Sequence, residues 1–469
     1  MILDLKPYPD YKDSGSLWLG KVPRHWRVVP NRALFNEIKD RSHPDEEMLS
    51  VTITRGIVRQ KALLEGSSKK DGSNLNRSAY KLVQPGDIAY NKMRAWQGAI
   101  GASTLRGIVS PAYVVMRLRN ADDVPSYFYH LYRTPQFAKE AERWSYGITS
   151  DMWSLRPEHF KMIPAPQPPP AEQVVIMHFL DHVGAIIERA IRAKKKLITL
   201  LNEQKRAIIH RTITRGLDPS VPLKHSGIDW LGEIPRHWEM TALRRYWRVT
   251  DCKHLTVPFV DDGIPVASVV EVQSFIVDLS RCKRTNPRWY RLLIDGDRKP
   301  RNGDILYCRN VSVGASALVS TDIDFAMGQD VCLIRSDIQN QRFLNYLLHS
   351  PFMKHQLELI LVGSTFKRIN VAGIKALGVF VPPRNEQDAI CSLLDSKLSI
   401  YEAGISRAEQ EIRLLHEYRT RLVASVVTGK VDARNAASSL PTKDSSESDE
   451  QEEANILEES ELPEDEGVQ

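Results

Sequence analysis

The segment "NKMRAWQG" places Asn91, Lys92, Arg94 and Gln97 around Trp96, immediately after the strand-like run "DIAY". Side chains of these types carry the donors and acceptors that read base edges in a nucleic-acid groove, and the cations among them suit phosphate oxygens. A second polar turn, "WSYGITSDMWS", offers Tyr146, Thr149 and Ser150 for the same chemistry. Later in the chain, Arg309 and Asn310 follow "DILYC", while Ser364, Thr365, Lys367 and Arg368 lie in "VGSTFKRIN". All of these are candidates for base readout. Lys69, Lys70, Arg281, Lys283 and Arg284 stand in cation-rich loops and are candidates for phosphate contacts.

Bond-making chemistry is harder to find. The run "GSLWLGK" matches the first seven positions of a phosphate-binding loop, but Val22 stands where a hydroxyl would hold magnesium. A related run later in the chain has Glu233 in place of the lysine. No tetrapeptide resembling N-P-P-Y or D-P-P-Y is present to hold a target amine. A nuclease set can be forced from Asp10, Glu37 and Lys39, yet the last two have no equivalents in "YWRVTDCKHL". His178 and His182 are four apart but lack the glutamate and third ligand of a zinc helix, so no metal is expected in this chain. The five cysteines all fall in the second half, without C-x-x-C spacing, and read as reduced packing thiols.

What must position the polar turns is a frame written twice. "WLGKVPRHW" at residues 18–26 returns as "WLGEIPRHW" at residues 230–238. Further pairs follow in the same order: Gly86-Asp87-Ile88 with Gly303-Asp304-Ile305, Pro135 with Pro351, "PPPAEQVVIMHFLD" with "VPPRNEQDAICSLLD", and "LLNEQKRAIIHRTITRG" with "LLHEYRTRLVASVVTGK". The step between partners stays near ~214 residues throughout, the mark of a duplicated unit. Trp18, Trp26, Trp230 and Trp238 recur with the frame and are read as anchors within each copy. The segments that do not align, "RQKALLEGSSKKDGSNLNRSAY" and "VDLSRCKRTNPRWYRLLIDGDRKP", are where two copies with different targets would differ.

Each copy opens with a mixed part. "DIAYNKM", "GIVSPAYVVMRL", "PVASVVEV", "GDILYCR" and "DVCLIRS" have the composition of strands, and "SYFYHLYRTPQFAKEAERW" and "QRFLNYLLHSPFMKHQLELI" that of helices. A proline-rich stop then leads into a long amphipathic helix. In the second copy its apolar seam is Leu394, Leu398, Tyr401, Ile405, Ala408, Ile412, Leu415, Leu422 and Val426, broken at Arg419; in the first it is Ile176, Leu180, Val183, Ile187, Ala190, Leu197, Leu201 and Ile208, broken at Lys194 and Gln204. A 3.5-residue period sustained this long predicts an antiparallel two-helix coiled coil, a rod of roughly 65 Å.

The expected fold class is therefore α+β: two homologous α+β modules joined by a long antiparallel coiled coil, with pseudo-twofold internal symmetry. The expected boundaries are a first module over residues 1–165, the first helix over 166–215, a linker over 216–224, a second module over 225–383, the second helix over 384–434 and an acidic tail over 435–469. That tail holds 12 acidic residues and one base, Lys443, and is expected to be disordered. Set against the overall net charge of +6, its −11 leaves the preceding body at +17, which suits a polyanion partner. Composition is 42% apolar and 26% charged, with no apolar run long enough to cross a bilayer and no signal-peptide pattern at the start. A cytoplasmic protein is expected.

The paired "SGxxWLGxxPRHW" entries, "NKMRAWQGAIG", the "PP..EQ" junctions and the ending "EYRTRLVASVVTGKVD" are similar to the specificity subunits of type I restriction-modification systems, over residues 11–433. The resemblance implies a non-catalytic subunit with two target recognition domains, each reading half of a split double-stranded DNA sequence, and the coiled coil as a ruler between them. It also implies partners: two methyltransferase subunits that modify adenine, and restriction subunits that translocate and cleave DNA. S-adenosylmethionine, ATP and magnesium would belong to those partners, leaving no cofactor in this chain. The alternative is a stand-alone DNA-binding scaffold or nuclease of a related defence system. Half-sites read from one face of the duplex would have centres about 10 base pairs apart, with about 20 as an upper bound set by the rod.

Overall fold

Two four-stranded antiparallel sheets organise the chain, one in each of two compact units: residues 1–193 with 411–469, and residues 194–410. The computed structural model describes residues 5–64, 77–147, 153–228, 231–361 and 368–440. Lys69, Lys70, Thr149, Ser150, Trp230, Ser364, Thr365, Lys367 and the acidic stretch after residue 440 lie outside the described residues.

In unit 1 the strand order is Phe35–Ile38, Tyr113–Leu118, Ile88–Asn91, Ile100–Ala102; in unit 2 it is Arg248–Thr250, Val331–Arg335, Ile305–Cys308, Ser316–Leu318. The registers also correspond. Tyr90 lies between Val114 and Ile100, and Tyr307 between Cys332 and Ser316. The "GD" ahead of each third strand has a structural reason. Gly86 and Gly303 adopt positive φ, and the aspartate that follows accepts a backbone N–H, from Gln84 or Arg301, closing the turn into the strand. The same aspartate then takes a two-pronged bond from an arginine on the neighbouring strand. Arg117 donates to Asp87 at 2.7 and 2.9 Å, and Arg335 to Asp304 at 2.7 and 2.6 Å.

Two expected elements differ in detail. Each helical stretch is broken by a proline into two helices, Pro125–Tyr132 and Pro135–Arg143 in one copy, Gln341–Leu348 and Pro351–Leu361 in the other. "PVASVVEV" is a strand only over Ile264–Ala267, followed by a single 3-10 turn at Val270–Val272. There Glu271 accepts from both the backbone and the hydroxyl of Ser268, which turns the chain off the sheet.

The long helices run Pro170–Arg215 and Arg384–Val427, the first ending at Gly216 and the second just before Gly429, both glycines at φ +72°. Each unit contains a stretch of both. In unit 1, Ile176, Leu180, Val183, Ile187 and Ile191 share a core with Leu422, Val426 and Val427. In unit 2, Leu394 and Leu398 share one with Ile213, and Ile208 packs on it. The expected seam of the second helix is inward-facing at every position, Arg419 included. The first helix departs from expectation after Ile187: the inward row steps by four to Ile191, then runs through Lys194, Ile198, Leu201, Lys205 and Ile208, leaving Leu197 40% exposed. Cations are tolerated on the seam because carboxylates meet them. Arg419 pairs with Glu188 in unit 1, and Lys205 lies 3.0 Å from Glu402 in unit 2. The repeat step of ~214 carries Glu188 to Glu402 and Lys205 to Arg419, so one interhelical ion pair occurs in both copies.

The junction residues fasten each mixed part to its helix. Glu172 and Glu386, in the first helical turn, accept from Trp26 and Trp238 at 3.0 and 3.1 Å and meet the imidazoles of His25 and His237 at 2.7 and 2.8 Å. Gln173 and Gln387, one residue on, each accept a backbone N–H, from Val124 and Asn340, and donate to the carbonyls of Pro168 and Pro382. This is why the nonapeptide and the "PP..EQ" junction travel together. Trp26 and Trp238 are fully buried, and Trp18 donates to the Pro164 carbonyl at 3.1 Å.

His130 sits beside the Arg419–Glu188 pair, where burial and then the charges of Arg419 and Arg133 lower its pKa to about 4. The unfolded chain would bind a proton there near pH 6.5, so this stabilisation is complete above pH 6.5 and is lost as pH falls toward 4, a span of about 3 kcal/mol. His130→Tyr, the residue the second copy carries at Tyr346, should flatten that part of the pH dependence. Thermal unfolding at pH 7 and pH 5 measures it, and equal losses in both proteins would contradict the assignment.

Candidate nucleic-acid interface

In unit 1 the turn after strand Ile88–Asn91 is built by its own polar groups. Asn91 accepts the Met93 N–H at 3.0 Å, Trp96 donates to the Met93 carbonyl at 3.0 Å, and Arg94 donates to Gln97 at 3.1 Å. Gly98, at φ +94°, closes it. Arg94 and Met93 are exposed and Asn91, Lys92, Trp96 and Gln97 half-buried. The end of the second polar segment lies beside it: the Leu155 N–H bonds the Lys92 carbonyl at 2.9 Å and Trp153 meets Trp96 edge-to-face at 5.6 Å. Tyr146, 59% exposed, bridges to Ser154 and meets the His159 ring edge-to-face at 5.0 Å. Trp153, Ser154 and Leu155 are thereby brought beside the turn at residues 91–98.

Unit 2 builds the corresponding surface with other residues. The Ile369 N–H bonds the Arg309 carbonyl at 2.9 Å, as Leu155 does Lys92, and Asn310 bridges to Arg368. Arg309 differs from its expected role. It is 4% exposed, its guanidinium pairs with Asp251 at 3.1 Å and reaches His254 at 3.4 Å, and its Nε is buried without a hydrogen-bond partner. A cation held that far inside supports the turn from beneath instead of presenting donors to a groove. Asn310 turns its side chain back onto the Val311 N–H at 2.9 Å, whereas Arg368 is exposed, 3.9 Å from Asp330. Sequence reasoning missed Val311, which is 77% exposed and held at φ +60°, a conformation β-branched residues avoid. The Asn-Val-Ser-Val-Gly run that contains it, residues 310–314, is its trace in the sequence.

Of the phosphate candidates described, Arg281 and Lys283 are exposed, Lys283 lying 4.8 Å above the Phe259 ring. Arg284 is half-buried and donates to the Gly263 carbonyl at 2.8 Å, so part of its donor set is already engaged.

The residues considered for bond-making chemistry are engaged in ion pairs. Asp10 pairs with Arg24, and Glu37 with Lys161 at 2.7 Å and Lys39 at 3.8 Å. Among the described residues, Asp251, Cys252 and His254 form the one cluster with metal-ligand spacing, and the Arg309 guanidinium already engages Asp251 and His254 there. Burial pushes the thiols of Cys308 and Cys391 up to about 12, consistent with packing cysteines. No helix among the described residues is long and apolar enough to cross a membrane.

Residues 284–407 match the family model of the type I restriction modification DNA specificity domain. The chain is 24% identical over 434 residues to the type I restriction enzyme MjaVIII specificity subunit of Methanocaldococcus jannaschii, covering 88% of this chain and 95% of the relative. It is 22% identical over 435 residues, with the same coverages, to the putative type I restriction enzyme MjaX specificity subunit of that organism. In fold it is similar to a chain from a structure of the type I R-M system concerned with complex assembly and conformational transition, with TM-score 0.61 and 16% identity over 87% of this chain and 98% of the other.

Proposed function

We propose that the chain is a type I restriction-modification specificity subunit, a reading that the matching family model and the similar curated subunits support, and that it reads a two-part, asymmetric DNA target. Each unit reads one half, and the paired long helices set the distance between halves. Methyltransferase and restriction subunits assemble on the chain and carry the catalysis, with S-adenosylmethionine, ATP and magnesium bound by them. The observation that carries the reading is a frame repeated bond for bond around turns that differ. Asp87–Arg117 and Asp304–Arg335, Trp26–Glu172 and Trp238–Glu386 recur, while residues 91–97 and 309–314 present different side chains. A common frame with unlike reading surfaces is what an asymmetric target requires.

In unit 1 the proposed readers are Asn91, Lys92, Arg94, Gln97 and Tyr146, with Thr149 and Ser150 on the adjoining segment. In unit 2 they are Asn310 and Arg368, with Ser364, Thr365 and Lys367 preceding the latter, and the exposed methyls of Val311 suit a thymine methyl. Lys69, Lys70, Arg281 and Lys283 hold phosphates.

Helix length tests the ruler. Three heptads added to both long helices extend them by about 32 Å, or about nine base pairs and close to one duplex turn. The bound motif should keep both halves and gain a spacer of about that size. Two heptads, near half a turn, should bind poorly because the heads face opposite sides of the duplex. An unchanged spacer in the three-heptad protein contradicts the proposal.

A further inference from the structure

One aromatic ring of unit 2 is held in water by a loop that the fold has otherwise immobilised. Phe259 is 52% exposed, and Leu255 and Val260 near it are 40% and 38% exposed. Between them Val257 is buried in a core with Val266, Tyr290, Leu293 and Ala326. The loop is fastened on both sides of the ring. The Pro258 carbonyl accepts the Thr285 hydroxyl at 2.9 Å, and the Val260 N–H donates to the Arg284 carbonyl at 3.0 Å. A phenylalanine on a mobile loop could fold back onto the protein. One fixed at both neighbours has no such route, and its apolar area stays in water until something covers it.

The surroundings of the ring indicate its cover. Lys283 lies 4.8 Å above it, and Arg281 is exposed two residues earlier. The loop also reaches the turn at residues 309–314. Its first residues, Asp251 and His254, engage the Arg309 guanidinium. Thr256 accepts from Gln329 at 2.8 Å, and the next residue, Asp330, takes the Arg309 N–H on its carbonyl at 2.8 Å and lies 3.9 Å from Arg368. The ring is thus tied to the elements that carry Val311 and Arg368. An aromatic side chain with cations at hand, next to a groove-reading turn, is suited to stack on a nucleobase while the cations hold flanking phosphates. Asp261 and Asp262 follow as exposed carboxylates, so the contact is confined to the ring and its cations and does not spread along the loop.

We propose that Phe259 is an apolar wedge that enters the duplex at a base step of the half-site read by unit 2 and stacks on the base it opens; this rests on the DNA-reading assignment above. Unit 1 has no counterpart in the same place. Its stretch between strands Phe35–Ile38 and Leu49–Thr52, residues 39–48, contains no Phe, Tyr or Trp. The opened step therefore belongs to one half of the target alone. A pyrimidine–purine step is favoured there, because the energy of unstacking depends on the sequence being deformed. Phe259 adds sequence preference without a hydrogen bond.

The test uses the full chain assembled with its partner methyltransferase, and the duplex recovered by selection from a random library with 2-aminopurine placed in turn along both half-sites. Fluorescence should rise on binding at a step in one half. Phe259→Ala should abolish that rise and weaken binding about tenfold. Its loss should be the same at every salt concentration, because the ring releases no counterions, whereas Lys283→Ala should lower the salt slope by about one. Phe259→Trp keeps a stacking ring and should restore both affinity and the preference for that step. Unchanged affinity and fluorescence in Phe259→Ala, on a two-part motif, would overturn the wedge and leave the DNA-reading assignment standing. A wild-type chain that selects no two-part motif would overturn both. Failure of Phe259→Ala to assemble with the methyltransferase would place the ring in a protein interface and overturn the wedge alone.

Discussion

Replacing Asp304 by alanine should destabilise unit 2 by about 3–5 kcal/mol, the cost of stranding a buried cation. Arg335 is 7% exposed, and Asp304 accepts from its Nε and Nη2 while Nη1 donates to Asp297 and Nη2 also to the Lys299 carbonyl. With Asp304 gone, the guanidinium retains Asp297 but faces a dry gap on its other edge. The repeat provides the control. Asp87 makes the same two-pronged bond to Arg117, whose side chain is 42% exposed, so water can solvate the arginine once the carboxylate is removed. Asp87→Ala should therefore cost only about 1–2 kcal/mol, most of it from the lost turn contact to Gln84. At about 2–4 °C per kcal/mol for a unit of this size, thermal unfolding should separate the two variants clearly. Equal shifts would mean that the depth of the pair does not govern its contribution.

The second large effect falls on recognition. Arg94→Ala with Gln97→Ala removes two hydrogen-bonding side chains that hold one another at 3.1 Å on the exposed turn of unit 1. Neither supports the fold: the turn is closed by Asn91, Trp96 and Gly98. Loss of one good base contact costs about 1–3 kcal/mol, so the double variant should bind its specific DNA roughly 10- to 100-fold more weakly. Sequence preference should relax in one half of the motif and persist unchanged in the other. Selection from a random DNA library, with the chain assembled with its methyltransferase partner, reads both quantities at once. Relaxation in both halves, or in neither, would contradict the division of labour between units.

The frame was legible because it is written twice and because its signals are local. Gly86 and Gly303 announce their turns, the prolines announce the helix entries, and the second helix shows its seam in sequence because its one polar interruption, Arg419, keeps the period. The first helix hid its seam. Lys194 and Lys205 occupy inward positions, and Lys205 is acceptable there only because Glu402 lies opposite, 197 residues away. No periodicity reveals a partner at that separation. Arg309 was misjudged for the same reason, since its burial depends on Asp251 and His254, which belong to a different stretch of chain. The turn at residues 91–98 of unit 1 is local by contrast, fixed by neighbours within a few residues of one another. That Glu172 and Glu386 receive the tryptophans was half visible: both motifs recur, but only the fold joins them.

Whether this chain supplies the address for a DNA methyltransferase complex is decided by mapping N6-methyladenine across the genome. Single-molecule sequencing would be run on a host expressing the partner methyltransferase, with and without this gene. One two-part, asymmetric motif should be methylated only when the gene is present. A methylation map identical in the two strains would contradict it.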